Sequence, residues 1–303
     1  MGTPRCTPFD TAHPIAISSD GPACPVCGGR GSARFLSGSH KMYRCKTCRT
    51  AFVDPMPSKS YLAEFYSNYH LGLGAAGNYV NEDKMMAHHT AQLAAVRRHS
   101  SGNPGRLLDI GCGKGFFLKQ AAESGIECCG IELSNTAVEY ATRNLHLDVV
   151  QGIIGDCKGK LGLFDSVTLW GVIEHLPDPV KVLSDAYEVL RPRGRIFVQT
   201  GIGDDWLDRL LPGVNQWYDP PQHLFVFSSI GLARCLEASG FEVVHLDTAY
   251  DRSVARRVVR LVRNGFVGTL LRGVCELGRL KSGSFQMTKF PLANDMFVVA
   301  QKP

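Results

Sequence analysis

The sequence lacks a long hydrophobic run. No stretch of its 303 residues approaches the roughly 20 uninterrupted apolar residues that a membrane-spanning helix needs. The first 19 residues include Asp10 and lack the apolar core of a secretory signal. Internal repeats and long low-complexity tracts are also missing. With 44% hydrophobic and 20% charged residues, the chain has the composition of a globular protein, and we expect it in the cytoplasm without a transmembrane segment.

The sequence also lacks the even cysteine count of a disulfide framework. Its 11 cysteines are scattered along the chain, which argues against the disulfide scaffolds of small secreted domains. Four of them form two C-x-x-C pairs, Cys24/Cys27 and Cys45/Cys48, separated by 17 residues. This spacing predicts a closed, tetrahedral, structural zinc site. A redox role is the alternative, disfavoured because two matching pairs are present.

Composition divides the chain into regions. Pro, Ser and Gly are frequent in residues 1–23, and Asp54-Pro55-Met56-Pro57 forms a stiff exit from the cysteine-rich part. We therefore predict a leader (1–23), a zinc-ribbon module (24–57), a helical segment (58–104) and one large domain (105–303). We expect the zinc module and the large domain to have separate hydrophobic cores.

Within the large domain, strand-like apolar runs alternate with helix-like stretches. The runs lie at 106–110, 126–131, 148–151, 165–170 and 195–200, and the helix-like stretches lie near 115–124, 135–144 and 178–190. Two more strand candidates, 242–246 and 296–301, lie towards the C-terminus. Such alternation is typical of an α/β fold, a parallel sheet with helices on both faces.

A glycine-rich loop follows the first of these runs. The third glycine of a dinucleotide fingerprint is missing, because that position is Phe116, and the spacing is instead G-x-G-x-G from Gly111. Glu132 ends the next run, where a carboxylate can accept hydrogen bonds from both ribose hydroxyls of an adenosine. The alternatives are an ordinary strand-to-helix turn and a solvated acid.

Four segments resemble the signature motifs of class I S-adenosylmethionine-dependent methyltransferases. They are LDIGCGKG (108–115), GIELS (130–134), FDSVTLWGVIEHL (164–176) and VLRPRGRI (189–196). The resemblance covers about residues 105–250 and resumes at 296–303. It implies a doubly wound, Rossmann-like sheet of seven mostly parallel strands, the last antiparallel, with S-adenosylmethionine as cofactor.

The resemblance also implies roles for individual residues. Gly111 and Gly113 would pass under the methionine part of the cofactor, and Asp109 would orient this loop or reach the cofactor amino group through water. Glu132 would hold the ribose, Leu133 would lie against the adenine, and Asp156 is a candidate for the adenine amino group. The predicted cofactor-binding set is Asp109, Gly111, Cys112, Gly113, Glu132, Leu133 and Asp156.

Two histidines are candidates for a catalytic base. His175 follows the fourth strand of the domain, at the end where a doubly wound sheet gathers its ligands. His223 lies in an aromatic segment, Trp217 to Phe225, which resembles a motif of the same family branch. A base is needed only if the acceptor loses a proton. Purely structural roles for both histidines are the alternative.

The acceptor is the open question. The cysteine module resembles the zinc ribbon that precedes some class I methyltransferases, including sugar C-methyltransferases and certain ribosomal RNA methyltransferases. We expect methyl transfer to an oxygen or carbon of a small-molecule or glycan acceptor. An RNA methyltransferase that binds RNA through the ribbon and basic segments is the alternative, and a non-enzymatic zinc-ribbon interaction module is a third hypothesis.

A basic insertion lies between the last two strand candidates, at about residues 252–290. Residues 252–281 hold eight Lys/Arg against one Asp/Glu, and Arg252, Arg256, Arg260 and Arg263 fall on one helical face. Such a helix can cover the active site, contact an anionic acceptor or lie on an anionic membrane surface. A solvated amphipathic helix is the alternative.

Overall fold

The structure is a computed structural model. It describes residues 21–37, 40–58, 60–62, 64–65, 82–100, 102–204, 217–248 and 295–303. The basic insertion and nearly all of the predicted leader lie outside the described residues. None of the helices in the described part of the chain is both long enough and apolar enough to span a bilayer.

The main sheet contains the seven strands that the sequence predicts. They are β4 (Leu107–Ile110), β5 (Cys128–Glu132), β6 (Val149–Gln151), β7 (Phe164–Trp170), β8 (Leu190–Gly201), β10 (Glu242–Asp247) and β11 (Asp295–Gln301). Their order is β10-β11-β8-β7-β4-β5-β6. Pairing is parallel from β8 through β7, β4 and β5 to β6, and β11 is antiparallel to both of its neighbours. The predicted sheet, including its antiparallel last strand, is confirmed.

Helices cover both faces of this sheet. They are α1 (Glu82–His99), α2 (Phe116–Glu123), α3 (Asn135–Asn144), α4 (Ile154–Leu161), α5 (Pro179–Val189) and α6 (Ser229–Ala238). Neighbouring residues of one strand enter opposite cores, as Leu107 and Leu108 do. Burial on both faces explains why these strands are almost continuously apolar in sequence. Because β5 and β6 run outward on one side of β4 and β7 and β8 on the other, the sheet has its switch point between β4 and β7.

Side-chain caps set three of the helix starts. Ser134, Asp178 and Ser228 precede α3, α5 and α6, and each side chain accepts a hydrogen bond from a backbone N–H of the first turn. The sequence analysis did not identify α4 or α6. Helix α4 contains Gly155 and Gly159 and has only two buried side chains, Ile154 and Cys157, so its apolar periodicity is weak.

The cysteine module forms a second sheet that the large domain completes. Its order is β1 (Gly31–Ser37), β2 (His40–Cys45), β3 (Ala51–Val53) and then β9 (Phe225–Val226), which comes from the large domain. Strand β3 pairs with β9 in the register Ala51↔Val226. Ser228 Oγ donates to the Cys48 carbonyl oxygen beside this pair.

The expectation of separate hydrophobic cores is wrong. One continuous buried cluster includes Cys48 and Phe52 of the module together with Phe225, Phe227 and Leu232 of the large domain. Three short strands around four cysteines bury too little apolar surface to form an independent core. Pairing with β9 also covers the otherwise open edge of β3.

Candidate active site

The glycine loop leaves the carboxyl end of β4 in a left-handed conformation. The φ angles of Gly111, Gly113 and Gly115 are 72°, 54° and 83°, values that glycine adopts without a steric penalty. A Cβ at Gly111 would lie 2.7 Å from Val172 Cγ2, whereas nothing lies within 4 Å of one at Gly113. A ligand can therefore approach the backbone at Gly113.

Glu132 connects this loop to the next helix. Its side chain is buried, its Oε2 accepts a hydrogen bond from Gly113 N at 2.9 Å, and its Oε1 accepts one from Ser134 N at 2.8 Å. Each carboxylate oxygen has two lone-pair sites, so both keep acceptor capacity after these bonds. The carboxylate is thus fixed in place at the end of β5, beside the loop.

Asp109 lies behind the loop, inside the sheet. It is 2% exposed and accepts a hydrogen bond from Thr168 Oγ1 at 2.7 Å. Burial raises the pKa of Asp109 to about 7, the Thr168 bond opposes the rise, and the charge of Glu132 adds to it. Thr168 was not predicted from the sequence, where its only signal is a polar residue in the middle of an apolar strand.

The other predicted cofactor-binding residues, Leu133, Asp156 and Cys112, differ in their exposure and in the strand ends near which they lie. Leu133 follows β5 and is 47% exposed, and Ile153, which the sequence analysis missed, follows the adjacent strand β6 and is 49% exposed. Asp156 is exposed in the first turn of α4. The Cys112 thiol packs against β5, since a Cβ on Gly130 would meet its Sγ at 2.5 Å. Two large apolar side chains are thus accessible at neighbouring strand ends.

The two candidate histidines come together on the other side of β4. His175 ends a short 3-10 helix, Ile173–His175, directly after β7, and the two imidazole centroids are 5.0 Å apart. The Nδ1 atom of His175 lies 2.5 Å from the Gln222 carbonyl oxygen, and that of His223 lies 2.9 Å from the Trp217 carbonyl oxygen. Because a carbonyl only accepts, each Nδ1 carries a proton, and in the neutral imidazole the lone pair is then on Nε2.

Glu174 lies beside these histidines and was missed by the sequence analysis. It is 2% exposed, and neither carboxylate oxygen makes a hydrogen bond of good geometry among the described residues, although the Thr200 hydroxyl acts to lower its pKa. Burial raises the pKa of Glu174 to about 7. A Glu174 oxygen and one nitrogen from each of His175 and His223 all lie within 4.8 Å of one another. The Glu-His pair of the quoted motif was the available signal.

The four cysteines of the module also come together. Their sulfurs lie within 4.8 Å of one another, with Cys24 Sγ 3.7 Å from Cys48 Sγ and Cys27 Sγ 3.5 Å from Cys45 Sγ. Hydrogen bonding with the Cys24 thiol lowers the pKa of Cys48 to about 5. Four thiols at these distances are suited to binding one metal cation, which would replace the protons between them.

The module has two matching turns around these sulfurs. The residue after each C-x-x-C pair has a positive φ, 69° at Gly28 and 66° at Arg49, and its N–H donates to the first cysteine carbonyl of that pair. The amides of Thr47 and Cys48 lie 3.3 and 3.4 Å from Cys45 Sγ and donate to it. Such amides stabilise thiolates, so the donor set suits a tetrahedral four-sulfur ion.

Comparison with known proteins gives a family and several relatives. A family described as "Methyltransferase domain" matches residues 79–246. The ubiquinone biosynthesis O-methyltransferase of Pasteurella multocida is 26% identical over 180 residues, which cover 50% of this chain and 74% of that protein. The protein of the same name from Nitrosococcus oceani is 29% identical over 138 residues, 40% of this chain and 58% of its own length.

Solved structures resemble this fold at low sequence identity. Phosphoethanolamine N-methyltransferase 2 of Haemonchus contortus, in complex with S-adenosyl-L-methionine, has a TM-score of 0.52 and 18% identity, covering 84% of this chain and 62% of that one. The 1,6-didemethyltoxoflavin-N1-methyltransferase of Burkholderia thailandensis has a TM-score of 0.50 and 16% identity, covering 89% and 98%. At this identity the likeness concerns the fold alone.

Proposed function

The chain belongs to the S-adenosylmethionine-dependent methyltransferases of the methyltransferase-domain family, and from this premise we propose that it methylates an oxygen or carbon of a small-molecule or glycan acceptor. The observation that carries the proposal is the pairing of His175 and His223 at the carboxyl end of β7. Strand β7 is hydrogen-bonded to β4, whose own carboxyl end holds the glycine loop. The proposed methyl donor and acceptor sites are therefore adjacent.

The cofactor site in this proposal uses residues that already have defined positions. Glu132, held by two backbone amides, accepts hydrogen bonds from the ribose hydroxyls, and Leu133 and Ile153 contact the adenine. Asp109 supports the loop from behind. Asp156, exposed in the first turn of α4, remains the candidate for the adenine amino group.

The methyl transfer needs alignment more than activation. The sulfonium methyl is already electrophilic, so the protein mainly places nucleophile, carbon and sulfur in line and excludes water. An acceptor hydroxyl or activated carbon must also lose a proton, and imidazole is suited to accept it near neutral pH. In their neutral forms His175 and His223 would each accept this proton on Nε2, because Nδ1 donates to a carbonyl. The names of the ubiquinone O-methyltransferase relatives favour oxygen as the acceptor atom.

Structural zinc is the second part of the proposal. Cys24, Cys27, Cys45 and Cys48 would hold it as four thiolates, with no open position for a substrate. The ion would stabilise the turns that carry β3, and β3 pairs with β9 next to His223. Its role is therefore to position the acceptor side of the site.

A methyl-transfer screen tests the proposed function. The chain is incubated with S-adenosylmethionine labelled on the methyl group, together with pooled hydroxylated metabolites, glycans and total RNA, which are then separated. We expect label in a small-molecule or glycan fraction, and at least tenfold less with Glu132→Ala when the cofactor is below saturation. Label only in RNA, with RNA affinity that falls steeply as salt increases, would instead establish the RNA methyltransferase.

A further inference from the structure

Glu174 is a buried acid that the proposed methyl transfer does not use. Both of its carboxylate oxygens are inaccessible to solvent, and the described part of the chain gives neither a hydrogen bond of good geometry; the polar side chain nearest in effect is Thr200, whose hydroxyl lowers the pKa of this carboxyl. A buried carboxylate without a partner is unfavourable, and such groups in native proteins are normally paired or bind a metal. The single hydroxyl of Thr200 can serve only one of the two oxygens, so the carboxyl keeps unused hydrogen-bonding capacity whether or not it is protonated.

The two imidazoles next to Glu174 are held as metal-ligating histidines usually are. In both rings Nδ1 donates to a backbone carbonyl, Gln222 O for His175 and Trp217 O for His223. This arrangement fixes the ring plane and selects the neutral tautomer with its lone pair on Nε2, the form that binds a metal. Two carbonyls on one loop thus orient both rings.

The three side chains lie close enough to share one ion. One Glu174 oxygen and one nitrogen of each imidazole all lie within 4.8 Å of one another. The backbone also joins the two segments at this point, since Leu224 N donates to the Glu174 carbonyl oxygen at 2.8 Å. The ligands therefore come from two segments that are joined by two hydrogen bonds, from His175 to Gln222 and from Leu224 to Glu174.

We propose that Glu174, His175 and His223 form a binding site for a divalent transition-metal ion, separate from the four-cysteine site. Two imidazoles and one carboxylate are the donor set of sites that bind such ions with positions left open. The open positions distinguish this site from the cysteine site, which is closed.

The location suggests what the ion does, and this step rests on the proposed function. An acceptor hydroxyl bound at an open position becomes more acidic and releases its proton to water. The oxygen pair then forms the O–CH₃ bond, the C–S bond breaks, and its electrons return to sulfur, which becomes the neutral thioether of the demethylated cofactor. With the ion bound, the histidines would act as its ligands, and the acidity that it gives the acceptor would replace the proton acceptance proposed above for the metal-free imidazoles.

Cobalt titration of the full chain tests the site without any acceptor. After weakly bound metal is removed, Co²⁺ is added and binding is followed by visible absorption and calorimetry. Cobalt on thiolates gives strong near-ultraviolet charge-transfer bands, whereas cobalt on nitrogen and oxygen gives only weak visible bands. We expect one ion of the second kind per chain, in addition to any at the cysteines.

Variants assign that second ion to its ligands. Glu174→Gln and His223→Gln should each weaken its binding at least tenfold and leave the thiolate bands unchanged. His245→Gln is the matched control, because His245 and His99 form another histidine pair, with centroids 4.4 Å apart, away from Glu174. The His245→Gln protein should bind the second cobalt ion as tightly as the unmodified chain does. S-adenosylmethionine affinity is measured for each variant to establish that it is folded.

Several outcomes overturn the proposal. They are the absence of a second ion in the folded chain, undiminished binding in a folded Glu174→Gln or His223→Gln, and equal loss in His245→Gln. If Glu174→Gln does not fold, His223→Gln alone decides. Because the titration contains no acceptor, a negative methyl-transfer screen with normal cobalt binding contradicts only the proposed function.

Discussion

Two buried glutamates lie at the carboxyl ends of parallel strands in the main sheet and have opposite surroundings. Glu132 is the last residue of β5 and Glu174 comes after β7, and both are less than 10% exposed. The oxygens of Glu132 accept two backbone amides, whereas those of Glu174 accept no hydrogen bond of good geometry within the described ranges. The described part of the chain therefore gives Glu132 a partner for each oxygen, whereas Glu174 has only the Thr200 hydroxyl acting on its carboxyl.

This contrast divides the proposed site into a cofactor side, which contains Glu132, and an acceptor side, which contains Glu174. The cofactor side is built within the main sheet, from the glycine loop and the amide at Ser134. The acceptor side depends on a loop that continues into β9, and β9 is also a strand of the cysteine module. A change in the module should thus affect one side and spare the other.

Removing the metal of the cysteine module should give the largest effect. We expect about one zinc per chain at this site, and structural zinc contributes roughly 10–16 kcal/mol in zinc-finger peptides. Chelation should therefore unfold the module and free β9. Hydrogen exchange should accelerate at Val226 and stay slow at Gly113.

Elemental analysis and cofactor titration complete this test. Protein made with ample metal should contain the zinc, and its absence would overturn the assignment. The stripped protein should still bind S-adenosylmethionine. If hydrogen exchange accelerates equally at Val226 and Gly113, the distinction between the cofactor side and the acceptor side is wrong.

Substituting the histidines should have the next largest effect. His175→Gln and His223→Gln should each lower the single-turnover rate by about 10²–10⁴-fold, the contribution of a group that moves a proton in the transition state. The same loss is expected if they act through a bound ion. Cofactor affinity should barely change, because neither imidazole contacts the adenosine in the proposed site. If both variants keep near-full rates, alignment alone carries the reaction.

Removing the Glu132 carboxylate should affect the cofactor side alone. Hydrogen bonds to a charged group contribute about 1.5–3 kcal/mol each, so Glu132→Ala should weaken S-adenosylmethionine binding at least tenfold by calorimetry. The substitution also leaves the amides of Gly113 and Ser134 without their acceptor. Glu139→Ala, at a half-exposed position on α3, is the control and should bind normally. Equal affinity in a folded Glu132→Ala protein would contradict the ribose assignment.

The sequence predicted the cofactor side better than the acceptor side, for physical reasons. Local signals specify a strand, a glycine turn and an acid at the next strand end, so the sheet was predicted strand by strand. The pairing of His175 with His223 depends on a loop that folds back onto β7, and no local pattern encodes that contact. The shared core was missed for the same reason, because β9 has only two residues. The sequence motif contains Glu174, but no sequence pattern indicates that its side chain is buried.

The smallest predicted effect is a pH dependence of cofactor binding at Asp109. Burial raises the pKa of this carboxyl to about 7, so near neutral pH it is partly protonated. S-adenosylmethionine carries a sulfonium and an ammonium charge, and nearby positive charge lowers a carboxyl pKa. The bound state then holds fewer protons than the free state, so affinity should rise with pH up to about 7 and level off above it, by at most about tenfold per pH unit.

Calorimetry in two buffers with different ionisation enthalpies measures this linkage directly. Below pH 7 the unmodified chain should release protons when the cofactor binds. Asp109→Asn should abolish most of that release, whereas Asp148→Asn, at an exposed position before β6, should not change it. Thr168→Val removes the hydrogen bond that lowers the pKa of Asp109, so the rise in affinity should move to higher pH. If proton release is the same in all four proteins, the titrating group lies elsewhere, and the histidines of the acceptor side are the next to examine.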